Sequence, residues 1–280
     1  MNAVLPVSVV IPTRNEARNL PGCLRCLSRF AEVVVVDSGS TDETAAIAKH
    51  MGARLIPFAW NGRYPKKRNH ILINERLAAP WVLFLDADEQ IPETFCDELA
   101  RTLPGSDRAG YWINYTNHFM GRELKHGVPQ RKLALIRVGR GLFERIEEDG
   151  WSTLDMEIHE HPVLDGPTGE IAARIDHRDF RGLDRFFTRH IDYARWEARR
   201  HEVLHNQGLG SAAHLTKRQR FKYANLDRWW YPFFYFAVAY FLKRGLLDGR
   251  AGFDYALYKL WYFNAIRGLI DEQRRAPHEG

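Results

Sequence analysis

Short apolar runs, rich in β-branched residues, alternate with stretches of helical spacing through the first ninety residues. This alternation restricts the fold more than any other feature of the chain. VSVVIP (7–12), EVVVVD (32–37), ARLIPF (53–58) and WVLFLD (81–86) read as strands, EVVVVD as one buried on both faces. Between them, Leu20, Cys23, Leu24 and Leu27 recur at helical spacing within 19–30, and SGSTDETAAIAKHMG (38–52) is alanine-rich. There Ser40 and Glu43 stand in capping-box spacing and Gly52 is a stop; KKRNHILINERLA (66–78) is a third helix. Strand and helix in strict alternation imply parallel strands joined by crossovers, hence a layered α/β domain. Such sheets bind ligands beyond the carboxyl ends of their strands. Pro12–Glu16, Asp37–Asp42 and Asp86–Glu89 all follow strands directly, so they are expected on one rim.

At that rim, WVLFLDADE places Asp86 and Asp88 two residues apart. In extended chain both side chains emerge on the same side, where they repel unless a cation lies between them. A hard divalent ion, Mg²⁺ or Mn²⁺, suits two carboxylates alongside phosphate oxygens. A solvated strand end explains the triplet equally well when it is taken alone.

Forty Lys and Arg against thirty-five Asp and Glu give a net charge of +5, too little to argue for nucleic acid, and no recognition motif for it is present. The excess is uneven: residues 181–228 alone carry +6. Three cysteines give no disulfide framework, which favours a reducing cytoplasm, and Cys23 and Cys26 in CLRC read as helix-packing residues. The first residues read as a strand, not a signal peptide, and no run reaches the length of a spanning helix. Two aromatic stretches, RWWYPFFYFAVAYFL (228–242) and YALYKLWYFNAIRGLI (255–270), are flanked by Arg and Lys, a composition that suits the headgroup level of a membrane or packing against protein.

VSVVIPTRNEARNL, VVVVDSGSTDET and WVLFLDADE, in this order and spacing, resemble the nucleotide-sugar-binding half of family 2 glycosyltransferases, inverting enzymes of the GT-A fold. HGVP, IHE, RHIDYARWEA and GLLDGRAGFDYAL extend the likeness towards bacterial enzymes of lipopolysaccharide-core and exopolysaccharide assembly. The resemblance implies a Rossmann-like GT-A catalytic domain over 1–180, while the helical spacing, basic residues and aromatic stretches of 181–280 read as a helical appendage. It implies a UDP-sugar donor, a divalent cation, and a glycolipid or lipid-linked saccharide acceptor. The place would be the inner face of the bacterial inner membrane, with an anionic membrane surface as a further partner.

Residue by residue, Pro12, Thr13, Asn15 and Glu16 would wrap base and ribose, and Asp37 would accept a hydrogen bond from the base. Asp88 would coordinate the metal, while Asp86 would share it or hold the ribose or a metal-bound water; His177 would complete the metal shell. Lys66, Lys67 and Arg68 stand at a helix start, where cations oppose the helix dipole, and a bound polyanion would resolve that conflict. Arg68, then Lys66, is the choice for the diphosphate. Glu160 is the expected general base, with Glu157 and Asp155 as rivals. Residues 117–133 would face the acceptor, though GVP here lacks the aromatic rings that many relatives carry. Rival functions are a polyprenyl-phosphate glycosyltransferase and a non-catalytic nucleotide-sugar or membrane-binding protein. A nucleotidyltransferase would be expected to show a glycine-rich loop after its first strand, which IPTRNEARNL lacks.

Overall fold

The computed structural model describes residues 3–146, 148, 151–157, 160–178, 182–208 and 215–275, which form two compact units. The first comprises Met1–Asn117 with Gln130–Arg178; the second comprises His118–Pro129 with Asp179–Gly280.

The first unit follows the alternation of the sequence. In chain order it contains β1 (Leu5–Thr13), α1 (Leu20–Arg25), β2 (Phe30–Asp37), α2 (Thr44–His50), β3 (Arg54–Pro57), α3 (Lys67–Asn74) and β4 (Trp81–Phe84). Then come β5 (Glu89–Gln90), α4 (Glu93–Thr102) and β6 (Gly110–Phe119), whose last two residues group with the second unit, as does β7 (Arg122–Leu124). The first unit continues with β8 (Arg131–Arg137), β9 (Gly141–Phe143), β10 (Pro162–Leu164) and β11 (Thr168–His177). The main sheet runs β3-β2-β1-β4-β8-β6-β11-β5. Its first four strands are mutually parallel, β8 is antiparallel to β4 and β6, and β5 is antiparallel to β11.

The β-branched runs are continuous because both faces of the sheet are covered. Val7, Val9, Ile11, Val35 and Leu83 join one buried cluster, while Val10, Val34, Val36, Val82 and Phe84 join another. Alternate residues of one strand thus feed opposite layers. Truncating a fully buried member such as Leu83 to Ala costs about 3 kcal/mol.

Three local expectations fail. Helix α1 stops at Arg25, five residues before the predicted end, and α3 stops at Asn74, four residues before its own. The capping box at Ser40 does not form: Glu43 is the N-cap residue of α2 and makes no side-chain cap bond. Ser40 instead donates both its hydroxyl and its backbone N–H to Asp37, and Asp42 accepts the N–H of Thr44 at 3.0 Å. A strand-end carboxylate outcompetes the helix for the serine.

The second unit is helical: α5 (Gly182–Gln207), α6 (Lys217–Asn225), α7 (Tyr231–Ala237) and α8 (Gly249–Arg275). Thr216 and Gln219 form a reciprocal capping box at the start of α6. Pro232, placed by the sequence inside an aromatic run, sits at the first turn of α7, where a missing N–H is tolerated. Helix α7 passes into a π-helical turn, Val238–Leu242, and a 3₁₀ turn, Gly245–Asp248, leads into α8. Ala194, Ala198, Tyr231, Phe263, Ile266 and Ile270 belong to its buried core. Among the described residues no helix is long and apolar enough to cross a membrane.

Candidate active site at the strand ends

The parallel register brings the strand-end residues to one edge of the first unit. Thr13 pairs with Asp37, Val10 with Phe84, and the N–H of Leu85 bonds to the carbonyl of Val10 at 3.0 Å. Asp37 is buried. Thr13 donates to its Oδ1 at 3.1 Å and the N–H of Ser40 to its Oδ2 at 2.9 Å, which leaves Oδ2 with capacity for a further donor. Asn15 takes a left-handed conformation, φ 56°, and its Oδ1 accepts the N–H of Thr41 at 2.8 Å. The N–H of Glu16 bonds to Thr44 Oγ1, and Glu16 Oε2 accepts from Asn19. Pro12 is buried in β1 opposite Val36. The first loop is therefore stitched to the loop after β2.

Beyond β4, the chain turns so that Asp86 and Asp88 meet different partners. Asp86 lies between two cations, Lys132 Nζ at 2.6 Å and Arg68 Nη2 at 3.4 Å. Burial opposes its ionisation, but Lys132 and Arg68 together hold it well below the usual carboxylate range. Lys132 also contacts the fully buried Glu89 at 2.8 Å and lies over the Tyr115 ring. Burial pushes Glu89 up to about 7, against the pull of that lysine.

Asp88 is buried, and its Oδ1 lies 3.6 Å from Nε2 of His177. The antiparallel pairing of His177 with Glu89 sets this distance, and Arg178 N–H fixes the Asp88 carbonyl at 3.0 Å. Burial would lower the pKa of His177, yet the hydrogen bond and charge of Asp88 prevail and raise it. A carboxylate oxygen and an imidazole nitrogen so placed fit Mg²⁺ or Mn²⁺, ions that keep positions open for phosphate oxygens. Among the described residues no group of three or more acidic, His or Cys side chains forms a closed metal cage.

The start of α3 is held by acids of the chain itself. The Glu157 carboxylate accepts the N–H groups of Arg68 and Asn69 at 2.8 and 2.9 Å, an anion on a helix N-terminus. Burial raises the pKa of Glu157. Asp155 accepts from Ser38 and pairs with Lys67 at 3.1 Å. Lys66 is buried between Glu148 and Glu160, with Glu160 at 2.7 Å. Arg68 donates to the Glu157 carbonyl at 2.6 Å and faces the Phe84 and Phe143 rings. The local conflict of cations at a helix start is thus answered internally. Glu160 lines a narrow recess together with Trp60, Tyr64, Lys66 and Glu148. Of the IHE element, Ile158 and His159 lie outside the described residues.

One continuous line of contacts runs from Asp37 and its neighbour Ser38, through Asp155, Lys67 and Arg68, to Asp86. The sequence did not single out Lys132, Glu89 or Glu148. Lys132 lies in β8, and only the antiparallel insertion of β8 beside β4 brings it to Asp86.

Residues 8–159 match the sequence profile of Glycosyl transferase family 2. The lipopolysaccharide core biosynthesis glycosyltransferase LpsC of Rhizobium meliloti is 32% identical over 173 residues, 59% of this chain and 60% of that protein. A PGL/p-HBAD biosynthesis glycosyltransferase of Mycobacterium bovis is 38% identical over 104 residues, 34% of this chain. The matched stretch spans 60% of the first relative's length and 39% of the second's. The mannosyltransferase PcManGT of Pyrobaculum calidifontis, solved with GDP-Man and Mn²⁺, superposes over 98% of this chain and 89% of its own. The TM-score is 0.52 at 16% identity, a likeness of fold that is GT-A. With more than half of its length inside the profile, the chain belongs to glycosyl transferase family 2.

Proposed function

We propose that the protein transfers a hexose, with inversion, from a UDP-sugar to a lipopolysaccharide-core or lipid-linked glycan acceptor. The observation that carries this reading is the shared edge: Asp37 at the end of β2 and the Asp86–Asp88 turn after β4, linked through Asp155 and the start of α3. Asp37 reads a base N–H through the free capacity of Oδ2, with Pro12, Thr13, Asn15 and Glu16 around it. Asp88 and His177 would hold the divalent cation, and Asp86 fixes Lys132 and Arg68, which would face the diphosphate. A Mg²⁺ or Mn²⁺ ion there supplies Lewis-acid stabilisation of charge on the departing diphosphate.

Glu160 takes the proton of the acceptor hydroxyl as that oxygen attacks opposite the phosphate. Glu157 binds helix N–H groups, Asp155 is tied to Ser38 and Lys67, and Glu160 is paired with Lys66, so the choice of Glu160 over its rivals rests on the IHE element that it ends. Lys66, shared with Glu148, keeps Glu160 oriented. The LpsC relative supports a lipopolysaccharide-type acceptor. An acceptor of that kind places the protein at the inner face of the bacterial inner membrane, with the aromatic and basic second unit towards anionic lipid.

The test is a panel of UDP-glucose, UDP-galactose, UDP-N-acetylglucosamine and GDP-mannose, each with Mn²⁺, followed by release of nucleoside diphosphate. The expected result is release from a UDP-sugar, abolished by Asp88→Ala. Release from none of the four, or release undiminished by Asp88→Ala, would overturn the assignment.

A further inference from the structure

The second unit exposes an apolar surface that its own core leaves uncovered. Leu242 is 73% exposed, Trp229 71%, Phe241 59% and Leu247 58%, against a few per cent for the aromatic residues of the core. Lys243 and Arg244 are exposed between Leu242 and Leu246, and Arg250 follows with 90% of its side chain in solvent. By sequence the second unit holds twenty Lys and Arg against twelve Asp and Glu, a net of +8, while the rest of the chain nets −3.

The backbone that presents these residues is tightly built. A Cβ at Gly245 would lie 2.8 Å from the carbonyl oxygen of Ala239, and one at Gly252 would lie 2.0 Å from that of Gly245. The π-helical turn, the 3₁₀ turn and the first turn of α8 therefore touch backbone to backbone, which only glycine permits. Gly249 and Arg244 both have positive φ, 62° and 59°. This accounts for GLLDGRAG, a motif the donor site does not use. Asp248 is turned inwards and accepts the N–H groups of Lys125 and His126 at 3.2 and 2.9 Å, and faces His126 Nδ1 at 2.9 Å. Gly127 N–H bonds to the Lys243 carbonyl at 2.8 Å.

We propose that residues 241–250 form a preshaped wedge that enters the headgroup layer of an anionic lipid surface, and that Asp248 clasps residues 125–127 to it so that lipid contact orders that segment. Leu242, Leu246 and Leu247 reach the acyl boundary, while Lys243, Arg244 and Arg250 meet lipid phosphates. Protein interfaces deplete lysine from their apolar centre, whereas here cations are interleaved with the leucines, which fits lipid better than a second copy of the chain. The inference deepens the lipid-linked reading of the acceptor, but its test needs no acceptor.

The full chain is floated with phosphatidylcholine vesicles, with and without about 30% phosphatidylglycerol. Wild type is expected to float only with the anionic vesicles, less so as salt rises. Leu242→Glu with Leu247→Glu, and separately Lys243→Glu with Arg250→Glu, should each lower the bound fraction at least about tenfold. Both double variants should hydrolyse UDP-sugar in solution at the wild-type rate. Amide exchange at 125–127 should slow on vesicle binding in wild type and not in Asp248→Ala. Wild type that ignores anionic vesicles, variants that bind as wild type does, or unchanged exchange at 125–127 would overturn the proposal. So would a wild-type dimer in sedimentation velocity that the leucine variant dissolves. Absence of UDP-sugar hydrolysis in every protein would overturn the proposed function while leaving the vesicle result to stand.

Discussion

The two units handle charge and apolar surface in opposite ways. In the first, cations are matched with carboxylates: Lys66 with Glu148 and Glu160 and Lys67 with Asp155 in the interior, and the half-buried Lys132 with Asp86 and Glu89. In the second, many cations face water beside uncovered leucine and aromatic side chains. Burying an ion is costly unless a partner and hydrogen bonds compensate. Stability alone is therefore a weak reason for so many buried pairs, and fixing side chains at a site is a better one. An uncovered apolar patch edged with cations is equally poor for solubility, and its natural explanation is a surface it binds. The contrast teaches that both units depart from an economical fold, each in the manner its proposed task requires.

The sharpest way to break the contrast is at Asp88. Asp88→Asn should lower UDP-sugar hydrolysis by about a thousandfold or more, the scale for losing electrostatic stabilisation of a leaving group. Steady-state rates in Mn²⁺ would check it, and near-wild-type turnover would remove Asp88 from the site. Lys66→Met should destabilise the fold by about 3 kcal/mol, because it leaves two buried carboxylates without their common cation. Urea denaturation measures this, and an unchanged midpoint would mean that the pairing contributes nothing.

A smaller effect is expected from His201 in the second unit. Burial, with His205 beside it, lowers its pKa from 6.5 to about 4. Between those values the unfolded chain binds a proton that the folded chain refuses. Stability is therefore intact above about pH 6.5 and falls as pH drops towards 4, by about 1–2 kcal/mol once solvent screening is allowed for. His201→Phe should flatten that slope in melts at pH 7 and pH 5, and an identical slope would contradict the assignment. Smallest of all, Leu247→Ser should change stability by less than about 0.5 kcal/mol, unlike truncation of the buried Leu83. A loss of several kcal/mol would show that Leu247 is covered after all.

Much of the first unit was legible in sequence because local pattern and global fold agree there. The runs at 7–12, 32–37 and 81–86 became β1, β2 and β4, and parallel pairing then placed Thr13, Asp37 and the Asp86–Asp88 turn along one edge. The pairings made over long sequence separations were not legible. Nothing near Lys66 points to Glu148 or Glu160, 82 and 94 residues away, and nothing in RKLALIR marks Lys132 as the partner of Asp86. The cations of KKR suggested a bound polyanion; the acids that also meet that helix start, Glu160 on Lys66, Asp155 on Lys67 and Glu157 on the Arg68 N–H, were not legible, because only the folding of their segment over α3 brings them there. Ser40 was misread for a different reason: its competing acceptor, Asp37, is only three residues away, and two local patterns contend for one serine.

The central claim is that Asp37 and Asp88, beyond the ends of β2 and β4 on either side of β1, bind one nucleoside diphosphate from its two ends. Calorimetric titration of UDP in Mn²⁺ and again in chelator tests this most directly. Wild type should bind tightly only with the metal. Asp88→Asn should bind no better in Mn²⁺ than in chelator, and Asp37→Ala should weaken binding while keeping its metal dependence. UDP binding that is unaltered by both substitutions, or that is indifferent to the metal in wild type, would contradict the account.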